Sequence, residues 1–224
     1  MKLKIFYYVA ALPTYKDIVV ERFRKLKTSR LLENSEIYLI THANNDMSFI
    51  EKSPNVEFVY LNASLQEAEI PALMFMQNQC ETAEQPFYCL YIHQKGISFA
   101  GTDKQTRVKH WRWLMDYFLI ERWRDCIDKL GEGFNIVGCN FTEEPVPHFS
   151  GNQYWARSDL ITTWPKFTLP SQNNFKSQLS IPNVFYRYDA EFWYGKCPIK
   201  PYSMFNSYVD HYHTEFPPEL YKTY

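Results

Sequence analysis

The stretch "PFYCLYIHQKG", residues 86–96, decides the fold. Phe87 to Ile92 is an unbroken apolar run, and it ends abruptly in His93, Gln94, Lys95 and Gly96. Such a run reads as a strand covered on both faces, which is how strands of a parallel sheet look. Before it, "SLQEAEIPALMFMQNQCETAE" (64–84) reads as a helix, with Ser64 and Glu67 at capping-box spacing and Pro71 delaying or kinking its start. Further back, "NVEFVYLNA" (55–63), "SEIYLITHA" (35–43) and "KIFYYVAA" (4–11) read as strands, with a helix over 15–32 between the first two. Strand and helix alternate, which implies an α/β fold with a central, mostly parallel sheet flanked by helices. Ligands of such sheets bind beyond the carboxyl ends of the strands, so the segment after Tyr91 is the first place to look for chemistry.

Toward the C-terminus, "DKQTRVKHWRWLMDYFLIERWRDCIDKLG" (103–131) is the strongest helical pattern, with Val108, Trp111, Met115, Phe118, Leu119, Ile127 and Leu130 at three- and four-residue steps. "FNIVGCNF" (134–141) and "HFSGNQYWA" (148–156) read as strands, and Ser158-Asp159 opens a short helix closed by Pro165. Residues 166–183 read as a polar loop, "VFYRYDAEFWYGK" (184–196) as a short helix, and the remaining tail as irregular and aromatic. There is no internal repeat and no linker. The whole chain, 1–224, is expected to be one domain, with a ligand-binding half over 1–100 and a second half over 101–224.

Composition narrows the function. Net charge is −1, which gives no electrostatic case for nucleic acid as a partner. The five cysteines, at 80, 89, 126, 139 and 197, are odd in number and lack CxxC spacing, which fits a reducing compartment better than a disulfide framework or a zinc knuckle. The opening "MKLKIFYYVA" is too short to span a bilayer and has no small-residue cleavage site. The expectation is therefore no transmembrane segment and a cytoplasmic location. The aromatic fraction of 18% supplies flat faces with polar tips that suit sugars and bases, although a tyrosine-rich core accounts for most of them.

Several clusters carry possible chemistry. His93, Lys95 and Gly96 stand at a strand's carboxyl end, where they are suited to holding diphosphate oxygens; a plain Lys-Gly turn is the alternative. Arg112, beside Trp111 and Trp113, is placed to pair a phosphate or to bridge to Asp116. If 148–156 is one strand, His148, Ser150, Asn152 and Tyr154 share a polar face able to hydrogen-bond sugar hydroxyls, and Gly151 admits a ligand or another backbone. Its alternative is an edge strand with a solvated face. In "RYDAEFW" (187–193), Asp189 or Glu191 is placed to act as a general base, or Arg187 and Glu191 simply pair at i,i+4. Asp210, His211 and His213 are metal-ligand types, but histidines on a tail are more often solvated.

Taken in order, "YIHQKGIS", "VKHWRWLMDYFLIERW", "IVGCNF", "HFSGNQYWARSDLI" and "YRYDAEFWYG" resemble a group of small GT-A-type glycosyltransferases of bacteria and large algal viruses, over roughly residues 65 to 195. The resemblance implies a GT-A-like single Rossmann-type domain that transfers a sugar from a nucleotide-diphosphate sugar to a glycan or lipid-linked acceptor, in an inverting reaction with Glu191 or Asp189 as base. It implies donor binding by His93, Lys95, Gly96 and Arg112. Acceptor binding would fall to His148, Ser150, Gly151, Asn152, Trp155, Arg187 and Trp193. The Asp-x-Asp that GT-A enzymes usually carry, and use to hold a divalent cation on the donor, is absent here, and His-x-Lys-Gly stands in that region instead. A manganese or magnesium ion would then be held by Asp103, His211 or His213, or be replaced by Lys95. A non-catalytic carbohydrate-binding or scaffold domain on a degenerate GT-A fold is the alternative. A phosphotransferase lacks support, because no GxxxxGK[ST] loop is present.

Overall fold

In the computed structural model, residues 1–10, 12–63, 65–168, 179 and 186–222 are described, the side chains of Gln66, Tyr186 and Arg187 excepted. Nine strands and seven helices organise these residues. They are β1 Leu3–Val9, α1 Tyr15–Thr28, α2 Leu31–Asn34, β2 Glu36–His42, β3 Val56–Leu61, α3 Ile70–Glu81, β4 Tyr88–His93, α4 Gln105–Asp116, α5 Trp123–Gly131, β5 Ile136–Gly138, β6 Phe141–Thr142, β7 His148–Phe149, β8 Tyr154–Arg157, α6 Ser158–Ile161, α7 Tyr186–Phe192 and β9 Pro201–Ser203.

Seven strands form one mixed sheet in the order β3-β2-β1-β4-β8-β5-β9. The pairs β3-β2, β2-β1, β1-β4 and β5-β9 are parallel, while β8 runs antiparallel to both β4 and β5. The expected α/β architecture with a mostly parallel central sheet is thus found. Strand β1 lies between β2 and β4: the chain runs from β1 out to β2 and β3 on one side, then crosses back to β4 on the other. That is a topological switch point, where the loops beyond the carboxyl ends part and leave a crevice.

Alternation along the central strands divides the core. Ile5, Tyr7, Leu39, Leu90, Ile92, Val137 and Trp155 pack with α1, α4 and α5 on one face. Phe6, Tyr38, Ile40, Cys89, Tyr91, Tyr154 and Ala156 pack with α3 and α6 on the other. The strands read as apolar runs because both faces are covered. Among the described residues, no helix is long and apolar enough to cross a membrane.

Three local expectations are corrected. The helix expected from Ser64 begins at Ile70 with Pro71 in its first turn and Glu69 before it, and Glu67 lies in a separate 3₁₀ turn, Leu65–Glu67. Proline's missing N–H costs nothing in a first turn, which is why the start sits there; Ser64 lies outside the described residues. The long helix is interrupted by a π-helical segment, Tyr117–Glu121, between α4 and α5. The strand expected over 148–156 is two strands, β7 and β8, separated by a turn with Gly151 at φ 100° and Asn152 at φ 51°. Side-chain alternation cannot run through two left-handed residues, so the shared polar face does not exist. The loop expected over 166–183 falls mostly outside the described residues.

Candidate functional site

The carboxyl end of β4 lies at the switch point and turns sharply. Gly96 adopts φ 84°, and a Cβ there would lie 2.7 Å from Val108 of α4. Its freedom therefore serves close packing of the turn on α4 rather than a ligand's approach. The turn sends the Lys95 ammonium over the Trp111 ring, 4.3 Å from its centroid, and 3.9 Å from Glu191 Oε1. Burial works against that ammonium, but Glu191 first, then Tyr212 and Glu69, raise its pKa above the ordinary lysine value.

The Gly151–Asn152 turn ties three distant segments together. A Cβ on Gly151 would lie 2.7 Å from Met115 Sδ and 3.3 Å from Trp111 Cζ2, so only glycine fits. The Gly151 N–H donates to Glu191 Oε1 at 2.8 Å, and its carbonyl lies 2.9 Å from His93 Nε2. One residue, Gly151, thus joins the end of β4 to α7, where Glu191 lies forty residues beyond it. Burial alone would raise the Glu191 pKa; Lys95, the Gly151 N–H, His148 and His93 together hold it below the ordinary glutamate value. Glu191 is accordingly a carboxylate at neutral pH.

A second carboxylate completes the group. Glu69, just before α3, accepts hydrogen bonds at Oε2 from Tyr91 Oη and Asn152 Nδ2, both at 2.8 Å. Its Oε1 lies 3.5 Å from His93 Nδ1. Burial moves the His93 pKa down, against the pull of Glu69. Asn152 is buried, and its Oδ1 has no hydrogen-bond partner among the described residues. Glu69, His93, Lys95 and Glu191 each keep between 11% and 19% of the side chain exposed, so the group opens to solvent while being mostly enclosed. Along the same edge, Tyr8 Oη lies 2.9 Å from His42 Nε2, at the ends of β1 and β2.

A buried cation supports this edge from below. Arg22 of α1 is fully buried, stacks over Tyr7, pairs with Asp116 of α4 at 2.9 Å and donates to Gln153 Oε1 at 2.9 Å and to the His93 carbonyl. Gln153 Nε2 donates to the same carbonyl at 3.1 Å. The end of β4 and the start of β8 are therefore locked to each other and to both helices, which is the preorganisation a binding group needs.

The fate of each expected residue follows. His93, Lys95, Gly151, Asn152 and Glu191 come together. His148 is near them: its Nδ1 donates to the Val146 carbonyl at 2.8 Å, its ring meets Phe192 edge-on, and its charge is felt by Glu191. Ser150 is half-buried, with its N–H on the Asn140 carbonyl. Arg112 does not join. It donates to the Lys95 carbonyl at 3.2 Å, approaches Glu21 at 3.7 Å, and lines a separate cleft of about 220 Å³ with Asp17 and Lys109. Trp155 and Trp193 are fully buried, with their indole N–H groups on the carbonyls of Leu119 and Pro165, so neither offers a face to a sugar. Asp189 is fully buried, whereas Glu191 reaches the open side. The Arg187 side chain lies outside the described residues.

The metal candidates disperse. Asp103 pairs with Arg107 at 2.7 Å, His213 with Asp210 at 2.7 Å, and buried His211 contacts Ser207 and stacks on Trp111. Among the described residues, no group of three or more His, Cys, Asp or Glu side chains is arranged to hold a metal ion. Glu69 escaped sequence reading altogether. Its partners lie 22 and 83 residues away, and the only signal was its place before a helix that begins at the strand ends.

A family model described as a domain of unknown function, DUF8361, matches residues 7–198. The chain belongs to that family. The match takes in Glu69, His93, Lys95, the Gly151–Asn152 turn and Glu191, and stops short of the tail that brings Tyr212 and His211 to Trp111. No curated protein matches the chain.

Proposed function

We propose that this chain is a glycosyltransferase with a GT-A-like fold, moving a sugar from a nucleotide-diphosphate sugar to a glycan or lipid-linked acceptor. The observation that carries the proposal is the convergence of Glu191, the Gly151–Asn152 turn, His93 and Lys95 beyond the carboxyl end of β4, at the switch point. That is where an open α/β sheet binds its ligand. Glu191 is the base: it is ionised, partly exposed and held in place by the Gly151 N–H. It takes the proton of the acceptor hydroxyl as that oxygen attacks the anomeric carbon and the bond to the donor phosphate breaks. Lys95 offers positive charge to the phosphate side, in keeping with a cytoplasmic enzyme that leans little on a divalent cation.

The paired state of Glu191 and Lys95 favours one rival, a carbohydrate-binding domain without turnover. A thermal-shift screen of the full chain against UDP-, GDP-, dTDP- and CMP-sugars, with and without manganese, tests the proposal. A donor at a hundredfold its Kd adds ~2.7 kcal/mol to stability. Stabilisation by at least one nucleotide sugar is expected. Stabilisation by none of them, with or without manganese, would overturn it, and stabilisation by free glycans alone would favour the rival.

A further inference from the structure

The edge that carries Lys95 and Glu191 has a further wall, built by the tail beyond the family match. Strand β8 is antiparallel to both β4 and β5, and β9 is parallel to β5, so β4, β5 and β9 point the same way. The tail that leaves β9 at Ser203 therefore emerges at the same edge as Lys95. His211 of this tail stacks on Trp111, and the Tyr212 ring lies 5.9 Å from the Lys95 ammonium. Earlier in the tail, the Ser207 N–H donates to Asn140 Oδ1 at 2.8 Å, and its hydroxyl lies 3.0 Å from the same oxygen and 2.8 Å from His211 Nε2. The Asn140 carbonyl accepts the Ser150 N–H at 3.0 Å, and the next residue, Gly151, holds Glu191.

That anchor is followed directly by Tyr208, which stands in a left-handed backbone, φ 56°, with 91% of its surface exposed. The conformation is one that a bulky side chain avoids, and no burial of the ring offsets it. Single exposed apolar residues are ordinary. One held in a strained backbone beside a hydrogen-bonded anchor is not, and such strain gathers at functional sites. A second exposed ring stands on α7. Tyr188, 42% exposed, lies three residues before Glu191, so the two side chains are neighbours on one helix surface. Phe192 backs the Tyr188 ring, stacked at 21°, and itself meets His148 edge-on.

We infer that Tyr188 and Tyr208 are platforms for sugar rings, and that the acceptor is an oligosaccharide rather than a single sugar. The face of an aromatic ring is electron-rich, and a pyranose offers it polarised C–H groups while its hydroxyls point outward. The neighbours of Tyr208 include Asn206, Ser207 and Asp210. A lone ring among hydrogen-bonding groups suits a sugar, whereas an acyl chain needs continuous apolar surface. Glu191 sits in a mostly enclosed group, and a residue as exposed as Tyr208 does not line it. The ring that Tyr208 supports is therefore a neighbour of the sugar whose hydroxyl Glu191 deprotonates, which requires an acceptor of two or more sugars. The inference rests on reading Glu191 as the base that faces the acceptor.

The test is saturation-transfer NMR on the full chain with methyl glycosides of glucose, galactose, mannose and N-acetylglucosamine, and with a linear trisaccharide of each. At least one trisaccharide should bind the wild type roughly tenfold more tightly than its methyl glycoside, the worth of one stacked ring. In Tyr208→Gly that advantage should disappear while Tm is level or raised, because glycine is unstrained at φ 56°. Tyr208→Phe should keep the advantage. Tyr188→Leu, which retains bulk but not the flat face, should weaken trisaccharide binding by a similar factor. Equal binding of trisaccharide and methyl glycoside by the wild type, binding of neither, or an unchanged advantage in Tyr208→Gly would overturn the inference. A fall in Tm together with binding in Tyr208→Gly would make the residue structural and overturn it equally. Stabilisation of the wild type by a nucleotide sugar, without a preference for any trisaccharide, would remove the platforms and leave sugar transfer standing. A trisaccharide preference lost in Tyr208→Gly, without stabilisation by any nucleotide sugar, would keep the platforms and refute the transferase reading.

Discussion

Replacing Gly151 with alanine is the sharpest structural perturbation of the site. The residue holds φ 100°, and the new methyl would lie 2.7 Å from Met115 Sδ and 3.3 Å from Trp111 Cζ2. The backbone conformation costs an alanine ~1–2 kcal/mol. Overpacking against α4 adds ~1–3 kcal/mol, because Trp111 is buried and Met115 has nowhere to retreat. The expected loss is about 2–5 kcal/mol, or roughly 4–20 °C in Tm for a chain of this size. Gly101→Ala is the control: its φ is 76°, but no atom of the described residues lies within 4 Å of the added Cβ, so only the conformational part applies. Melting followed by circular dichroism gives both values. The Gly151 variant should melt well below the Gly101 variant, and its His93 ring signals should shift, because the displaced turn no longer offers its carbonyl. A Gly151→Ala protein that melts no lower than Gly101→Ala would refute the reasoning that packing against Met115 and Trp111 fixes this turn.

Two further outcomes are expected. Asp116→Asn leaves Arg22 buried without its counter-charge and should cost ~3–5 kcal/mol in denaturant unfolding; a loss below about 1 kcal/mol would contradict the brace. Burial would raise the Asp116 pKa, but Arg22, Lys25 and Arg112 hold it below the ordinary carboxylate value. Its contribution is therefore complete above the ordinary carboxylate range and lost as pH falls through the lowered pKa, so the wild type and Asp116→Asn should converge in stability toward acid. Lys95→Met removes the main charge holding Glu191 ionised, so the Glu191 carboxyl pKa should rise in a carbon-13 NMR titration, and an unchanged value would separate the two residues.

The central strands were legible because burial on both faces leaves an unmistakable apolar run, as in Tyr88–His93. So was the edge that carries the site, because His93 and Lys95 follow that run directly. The turn was not. A period-two pattern treats 148–156 as one strand, and nothing in that rule registers two left-handed residues in a row. Trp155 and Trp193 looked like sugar platforms because aromatic type alone does not say which face of a sheet or helix is covered; both are core. The surroundings of Arg112 were hidden for a related reason. The Lys95 carbonyl and Glu21 take up its guanidinium, while Asp116 is met by Arg22 and Lys25 from a helix ninety residues earlier. Glu69 required the third dimension, since only the fold brings it to Tyr91 and Asn152.

The most direct measurement is release of nucleoside diphosphate from the stabilising nucleotide sugar, compared between wild type and Glu191→Gln with and without acceptor. The substitution keeps the shape and the place beside Gly151 but removes the base. A fall in turnover of ~10²–10⁴-fold is expected, with donor affinity close to wild type. Near-normal turnover in Glu191→Gln, or no release by the wild type from any nucleotide sugar, would contradict sugar transfer at this site.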